Sequence, residues 1–207
     1  MKNKLFRGIM PALVTPFDEA GELKEDVTRR LIDWELDQGI AGFYINGATG
    51  EGPVTKDSTR MKMADVTVDQ AHGRGKIINH VGAMNIHSSI ALAKHAKQCG
   101  CDAISSVPPT YFYSYTPAQI LDYYRALSDA CDLPLLVYAT RMLGSGDITE
   151  FIEKVMELTN VVGIKFTRSD YYEMYKITQI NGGDINVING PDETLLCGLS
   201  MGADAGI

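Results

Sequence analysis

Three short stretches of the chain repeat one design. DQGIAGFYI, QCGCDAISS and SMGADAGI each place a glycine at the end of a helical segment, then a short turn, then an apolar strand. Glycine at such a point takes the left-handed conformation that ends a helix, and the recurrence has the spacing of β/α units. The rest of the chain follows suit. Strand-like apolar runs lie at 8–17, 42–48, 76–83, 103–109, 134–140, 161–167 and 185–191, and an eighth begins at 204. Helical periodicity fills the gaps near 25–38, 56–71, 87–99, 117–130, 148–158, 170–180 and 192–201. TPAQ at 116–119 marks one helix start: Thr116 as cap, Pro117 in the first helical position, Gln119 closing a capping box. Nearly continuous apolar strands alternating with helices predict a parallel sheet covered by helices.

Two α/β architectures meet that description, an eightfold (β/α)8 TIM barrel and an open doubly wound sheet. No G-x-G-x-x-G follows the first strand and no P-loop is present. Eight units favour the barrel. No linker, charge block or low-complexity stretch divides residues 1–207, so one barrel domain is expected. The chain stops at Ile207, at the start of strand eight. From sequence, that ending predicts an open barrel with unpaired edges, in a truncated or partial chain or one closed by a partner.

Composition narrows the functional classes. The hydrophobic fraction of 45% and charged fraction of 22% belong to an ordinary globular protein. A formal net charge of −7 gives no reason to expect nucleic acid. No apolar run is long enough to span a bilayer, and the first residues lack a signal-peptide core, so a cytoplasmic location without membrane contact is expected. Cys99 and Cys101 form a C-x-C, a weak metal signal; Cys131 and Cys197 are isolated. All four are read as buried or incidental thiols. The histidines (His72, His80, His87, His95) form no H-x-H or H-E-x-x-H. His80, in KIINHVGA, is read as a hydrogen-bonded strand residue rather than a ligand or base.

The chemistry gathers where barrel strands end. Thr15, NGATGEG (46–52), Pro108 to Tyr111, Tyr138, Lys165, Thr167 and NGPDE (189–193) all fall at C-terminal strand ends, where barrels of this kind build their sites. VVGIKFTRSD carries Lys165 in the middle of an apolar strand. A lysine inside a barrel loses solvation, so its pKa falls and a neutral amine becomes available. Such an amine forms a Schiff base with a ketone, and the iminium is an electron sink for an adjacent C–C bond. The alternative is a lysine paired with a carboxylate. Tyr138, on the neighbouring strand, offers a phenol for proton transfer or is a core tyrosine. GATGEG offers backbone N–H groups to a carboxylate or is simply a tight turn.

NGATGEG, VGAMN, VPPTYF, VYA and GIKFT together resemble the N-acetylneuraminate lyase / dihydrodipicolinate synthase family in order and spacing, over essentially the whole chain. The resemblance implies (β/α)8 barrels, mostly homotetramers, that act on small keto acids through a lysine Schiff base with pyruvate and need no metal or organic cofactor. It makes Lys165 the Schiff-base lysine and Tyr138 the proton-transfer residue. Thr49 and position 48 would hold the carboxylate, and Tyr111 would reach into a neighbouring subunit's relay. GIKFTRSDYYEMYKI is similar to the sialic acid lyase branch. There the G-x-D-E residues, here Gly190, Asp192 and Glu193, bind the sugar's hydroxyl chain; Thr167 is a further candidate. Carboxylates accept hydrogen bonds from polyols, although Asp192 and Glu193 would also suit the start of the next helix.

Three departures from that pattern stand out. Position 48 is Ala48 where the family carries a hydroxyl. The loop after Tyr138, YATRMLGSGD, lacks the expected Asn-x-Pro, and Arg141 is not at the synthase arginine position. The family also continues by roughly ninety residues beyond strand eight, through a last barrel helix and a helical C-terminal segment. The expected activity is a Schiff-base lyase cleaving N-acetylneuraminate to N-acetylmannosamine and pyruvate. The alternatives are a dihydrodipicolinate synthase or 2-keto-3-deoxy sugar acid aldolase, and a non-catalytic keto-acid-binding member or inactive fragment.

Overall fold

The structure, a computed structural model, describes residues 4–109 and 113–207. Eight parallel strands run in the order β1 (Gly8–Ile9), β2 (Gly42–Ile45), β3 (Lys76–His80), β4 (Ala103–Ser106), β5 (Leu135–Ala139), β6 (Val161–Phe166), β7 (Asn186–Asn189) and β8 (Ala205–Gly206). Seven helices alternate with them: α1 (Glu25–Asp37), α2 (Asp57–Ala71), α3 (Ile86–Cys99), α4 (Pro117–Ala130), α5 (Thr149–Val155), α6 (Tyr171–Thr178) and α7 (Leu195–Ser200). From β2 to β8 each strand pairs with its sequence neighbour, and β8 pairs with β1, in the strand order of a TIM barrel.

The local signals work as their chemistry requires. Thr116 accepts from the Gln119 N–H, and the Gln119 side chain accepts from the Thr116 N–H, completing the capping box of α4. Gly39, Gly100 and Gly202 have φ of 82°, 95° and 98° and end their helices in the left-handed conformation.

The ring is nearly closed, against the expectation of an open barrel. Ala205 and Gly206 pair with β7 on one side and β1 on the other, and the Met10 N–H donates to Gly206 O. A short strand can reach both neighbours because successive residues direct their N–H and C=O groups to opposite sides: Gly206 O accepts from β1's side, while Asp204 and Ile207 donate to β7. Between β1 and β2 the ladder is irregular: Ala41 N–H donates to Ile9 O, Tyr44 N–H to Pro11 O, and Leu13 N–H to Tyr44 O. Pro11 has no N–H, and β1 is accordingly far shorter than the run at 8–17.

Alternation along the strands divides the core in two. Phe43, Ile45, Leu135, Val137, Ile164 and Phe166 face the helices. Tyr44, Ile78, Ala103, Leu136, Tyr138 and Ile188 fill the barrel interior with Phe6 and Met10. Asn186 pins the N-terminal segment by exchanging side-chain hydrogen bonds with both backbone groups of Phe6. Lys4 pairs with Asp204 at 3.4 Å, fastening the start of the described chain beside β8.

Candidate active site

A β-bulge decides what stands opposite Lys165. Leu135 pairs with Val161 but Leu136 pairs with Gly163, so the register skips Val162. Tyr138 therefore faces Lys165 across the ladder. Without the skip it would face Ile164, whose side chain points to the helices. Bulges beside active sites commonly re-aim a side chain in this way.

Lys165 is 5% exposed. Its Nζ lies 3.8 Å from the centroid of the Tyr44 ring and 4.5 Å from that of Tyr138. Burial alone lowers its pKa to about 7, and among the described residues no carboxylate forms an ion pair with it. The paired-lysine alternative is thus not what the structure holds. Two aromatic faces offset part of the cost of a charge there, while leaving a large neutral fraction near pH 7.

Tyr138 is buried against Tyr44 and His80, with ring centroids 5.9 and 5.8 Å away, both edge-on. Burial raises its pKa; the nearby Thr167 hydroxyl acts the other way, although Thr167 Oγ1 makes no close hydrogen bond. A phenol kept protonated in this way is a proton donor at neutral pH. His80 is the hydrogen-bonded strand histidine expected. Its Nε2 accepts from the Val107 N–H at 3.2 Å, which leaves Nδ1–H to donate to Asn46 O at 3.1 Å. Burial foremost, with Arg60 and Lys165 adding, holds its pKa well below 6.5.

Above the lysine opens a cavity of about 1060 Å³. Thr49, Tyr138, Lys165, Thr167, Gly190, Asp192 and Glu193 all line it, bringing together residues from four strand ends. Ala48 is exposed in the loop after β2 and does not line the cavity. Tyr111 lies outside the described residues. In the 46–52 loop, Thr15 Oγ1 donates to Gly50 O at 2.6 Å and the Gly52 N–H donates to Gly47 O. The N–H groups of Ala48 and Thr49 donate to no backbone carbonyl among the described residues. Gly190 is glycine for a local reason: a Cβ there would sit 1.9 Å from Thr167 Oγ1. Asn189 Nδ2 donates to Pro191 O and shapes the loop that carries Asp192 and Glu193. Both carboxylates are exposed, and neither caps a helix: the turn at 192–194 and α7 have no side-chain cap bond.

The chain matches the dihydrodipicolinate synthetase family over residues 5–207. It is 38% identical over 203 residues to the N-acetylneuraminate lyase of Escherichia fergusonii, covering 97% of this chain and 68% of that protein. The chain belongs to the dihydrodipicolinate synthetase family. Its fold superposes on N-acetylneuraminate lyase from Proteus mirabilis with a TM-score of 0.93 at 29% identity, over 99% of this chain and 70% of that one. It superposes on dihydrodipicolinate synthase from Aquifex aeolicus at 0.90 and 26%, over 98% and 69%. This family member is therefore lyase-like, at moderate identity to its relatives.

Sequence reasoning missed three contributors. Tyr44 forms the floor under Lys165; its only signal was an aromatic with a hydroxyl inside an apolar strand. Arg168, just after Thr167, organises the loop after β5. It pairs with Glu173 at 2.8 Å and donates to the carbonyls of Thr140, Gly144 and Gly146. Glu173 in turn accepts from the Ile148 N–H. The unusual YATRMLGSGD loop is thus clamped by a buried ion pair instead of stiffened by proline. Arg141, set aside on alignment, borders the cavity with Gly144 and Ser145.

Proposed function

We propose that the chain is a Schiff-base lyase that cleaves N-acetylneuraminate to N-acetylmannosamine and pyruvate. The observation that carries the reading is Lys165: a buried amine with a pKa near 7, without a carboxylate partner among the described residues, at the floor of a cavity lined by polar strand ends. The neutral amine adds to the ketone of the open-chain sugar acid, and loss of water gives an iminium. Tyr138 relays the proton that leaves the C4 hydroxyl as the C3–C4 bond breaks. The bonding electrons pass into the iminium, leaving an enamine. Protonation at carbon and addition of water then release pyruvate and regenerate the amine. The free N–H groups of Ala48 and Thr49 offer donors to the keto acid's carboxylate. Asp192 and Glu193, exposed on the cavity wall, accept from the hydroxyl chain.

The names carried by relatives support this substrate. One observation favours a second reading within the same chemistry: Arg141 on the cavity wall would suit a substrate with a further anionic group, as in the synthase branch. The deciding experiment is incubation with pyruvate and borohydride, followed by peptide mass analysis, with N-acetylneuraminate turnover assayed in parallel. A reduced pyruvyl adduct on Lys165 is expected. An unmodified Lys165 in folded protein, or an adduct elsewhere, removes the Schiff-base reading. An adduct without N-acetylneuraminate cleavage leaves the chemistry and changes the substrate.

A further inference from the structure

We propose that the outer helical layer carries a zinc-type metal site built from Asp65, His95, Cys99 and Cys101. It is independent of the lyase reading. His95 and Cys99 are four residues apart on α3 and so share a face, and Asp65 meets them from α2. One ligand atom from each of the three lies within 4.8 Å of the others. Cys101 stands outside that trio with its sulfur against that of Cys99, because Gly100, at φ 95°, turns the chain back after α3; it would move inward to complete the set.

Two separations already have coordination dimensions. The sulfurs of Cys99 and Cys101 are 3.7 Å apart, and His95 Nε2 is 3.2 Å from Asp65 Oδ1. In a tetrahedron the ligand–ligand edge is about 1.63 bond lengths. Zn–S bonds of about 2.3 Å then give an edge of about 3.8 Å, and Zn–N or Zn–O bonds near 2.0 Å give about 3.3 Å. The sulfur separation is far too long for a disulfide, whose bond is about 2.05 Å. Among the described residues His95 Nδ1 is buried without a hydrogen-bond partner, and Asp65 is the polar group that meets the imidazole, at Nε2. A mixed thiolate, imidazole and carboxylate set suits Zn(II) rather than Mg(II) or Ca(II).

The position says what such an ion would do. The cluster lies where α3 runs into β4, at the N-terminal face of the barrel, whereas the catalytic cavity opens at the C-terminal face. In barrels of this type the N-terminal face serves stability. The ion would clip α2, α3 and the entry to β4 together.

The test is anaerobic titration of the reduced, chelator-treated chain with Co(II), followed by displacement with Zn(II). One Co(II) per chain is expected, with near-ultraviolet thiolate charge-transfer absorption and the strong visible bands of a tetrahedral site. Zn(II) should raise the Tm. Cys99→Ser and Cys101→Ser should each lose charge-transfer intensity, and His95→Gln should weaken binding about tenfold or more. Trapping of pyruvate on Lys165 should be unaffected in all of them. Should buried Cys101 not tolerate serine, Cys101→Ala and Asp65→Asn test the same ligand set. A weak octahedral spectrum, no stoichiometric uptake, or an unchanged spectrum in the cysteine variants would overturn the proposal. So would a Cys99–Cys101 disulfide in protein that takes up no metal after reduction.

Discussion

The β2–β4 side of the barrel and the β5–β7 mouth treat polar side chains in opposite ways. On the first side, Asn46 Nδ2 donates to Arg60 O and Asn79 Oδ1, and Arg60 Nη2 donates to His80 O at 2.8 Å. The Tyr124 hydroxyl donates to Ser106 O at 2.8 Å, and the Tyr123 hydroxyl bridges Ser89 and Ser106. At the mouth, Lys165 has no carboxylate, Thr167 Oγ1 has no close partner, and Asp192 and Glu193 form no ion pair among the described residues. Buried polar groups in folded proteins are almost always satisfied internally. At this mouth the unpaired groups face the cavity, and the hydrogen-bonded network beside it holds the cavity's walls.

The sharpest way to break this contrast is Lys165→Met. Activity should fall by a factor on the order of 10⁵ or more, as for removal of other covalent nucleophiles, and the borohydride adduct should vanish. Stability should move the other way. Lys165 has a pKa of about 7 when folded and about 10.4 when unfolded. Between those values the unfolded chain holds a proton that the folded chain lacks, so stability rises with pH from about 7 to about 10.4. Below about pH 7 both states are protonated and the full burial penalty is felt. The methionine variant should flatten that slope and be more stable by up to about 4 kcal/mol at neutral pH and below. Denaturant melts of both proteins across that range check it; a variant less stable at pH 7 would make Lys165 part of the scaffold.

Next in size come Asp192→Asn and Glu193→Gln. Each removes a charged acceptor from the cavity wall without breaking a contact in the fold. A lost charged hydrogen bond to substrate costs about 1.5–3 kcal/mol, or roughly 10- to 100-fold in kcat/KM for N-acetylneuraminate. Pyruvate trapping and the Tm should stay where they were. A fall in Tm with unchanged kinetics would return both residues to a helix-start role.

Tyr124→Phe probes the satisfied side. Its ring stays in the core while the hydroxyl's bonds to Ser106 O and to the Tyr138 backbone are lost. A net loss of about 1 kcal/mol is expected, near 2–4 °C in Tm for a chain of this size, with kinetics unchanged. An effect on kcat larger than the effect on stability would tie the network into the chemistry.

How far these regions were legible in the sequence follows from the range of the interactions. The glycines at 39, 100 and 202 and the capping box at 116–119 act within one turn of chain, so element order and type could be read directly. The partnership of Lys165 with Tyr138 was visible only as a pair of adjacent strands. Its register depends on Val162 being skipped, a choice made by pairing and not by either strand alone. Tyr44 was hidden because a four-residue strand, buried throughout, gives no alternation to say which side faces the interior. The near-closure of the ring was not legible because it joins β8 to β1, the two ends of the described chain, beyond any local pattern. The Asp65–His95 contact joins two helices thirty residues apart, beyond any local pattern.

The smallest predicted effect concerns Ala48. The family resemblance implies a hydroxyl there, and in this structure the residue is exposed just outside the cavity wall, beside Thr49, which lines it. Ala48 offers only its N–H to a carboxylate. Serine would add one neutral hydrogen bond, worth about 0.5–1.5 kcal/mol where water otherwise substitutes. That corresponds to a several-fold rise in kcat/KM, at most about tenfold. The loop should tolerate the change, since its anchors, Thr15 to Gly50 and Gly52 to Gly47, do not involve the Ala48 side chain. Steady-state kinetics of Ala48→Ser on N-acetylneuraminate decide the point, with pyruvate affinity measured separately by trapping. A gain in both measures would place position 48 at the carboxylate. No gain in either would mean that the clamped YATRMLGSGD loop, held by Arg168, leaves the carboxylate out of a serine's reach. The satisfied scaffold would then extend further toward the mouth than the hydrogen-bond pattern shows.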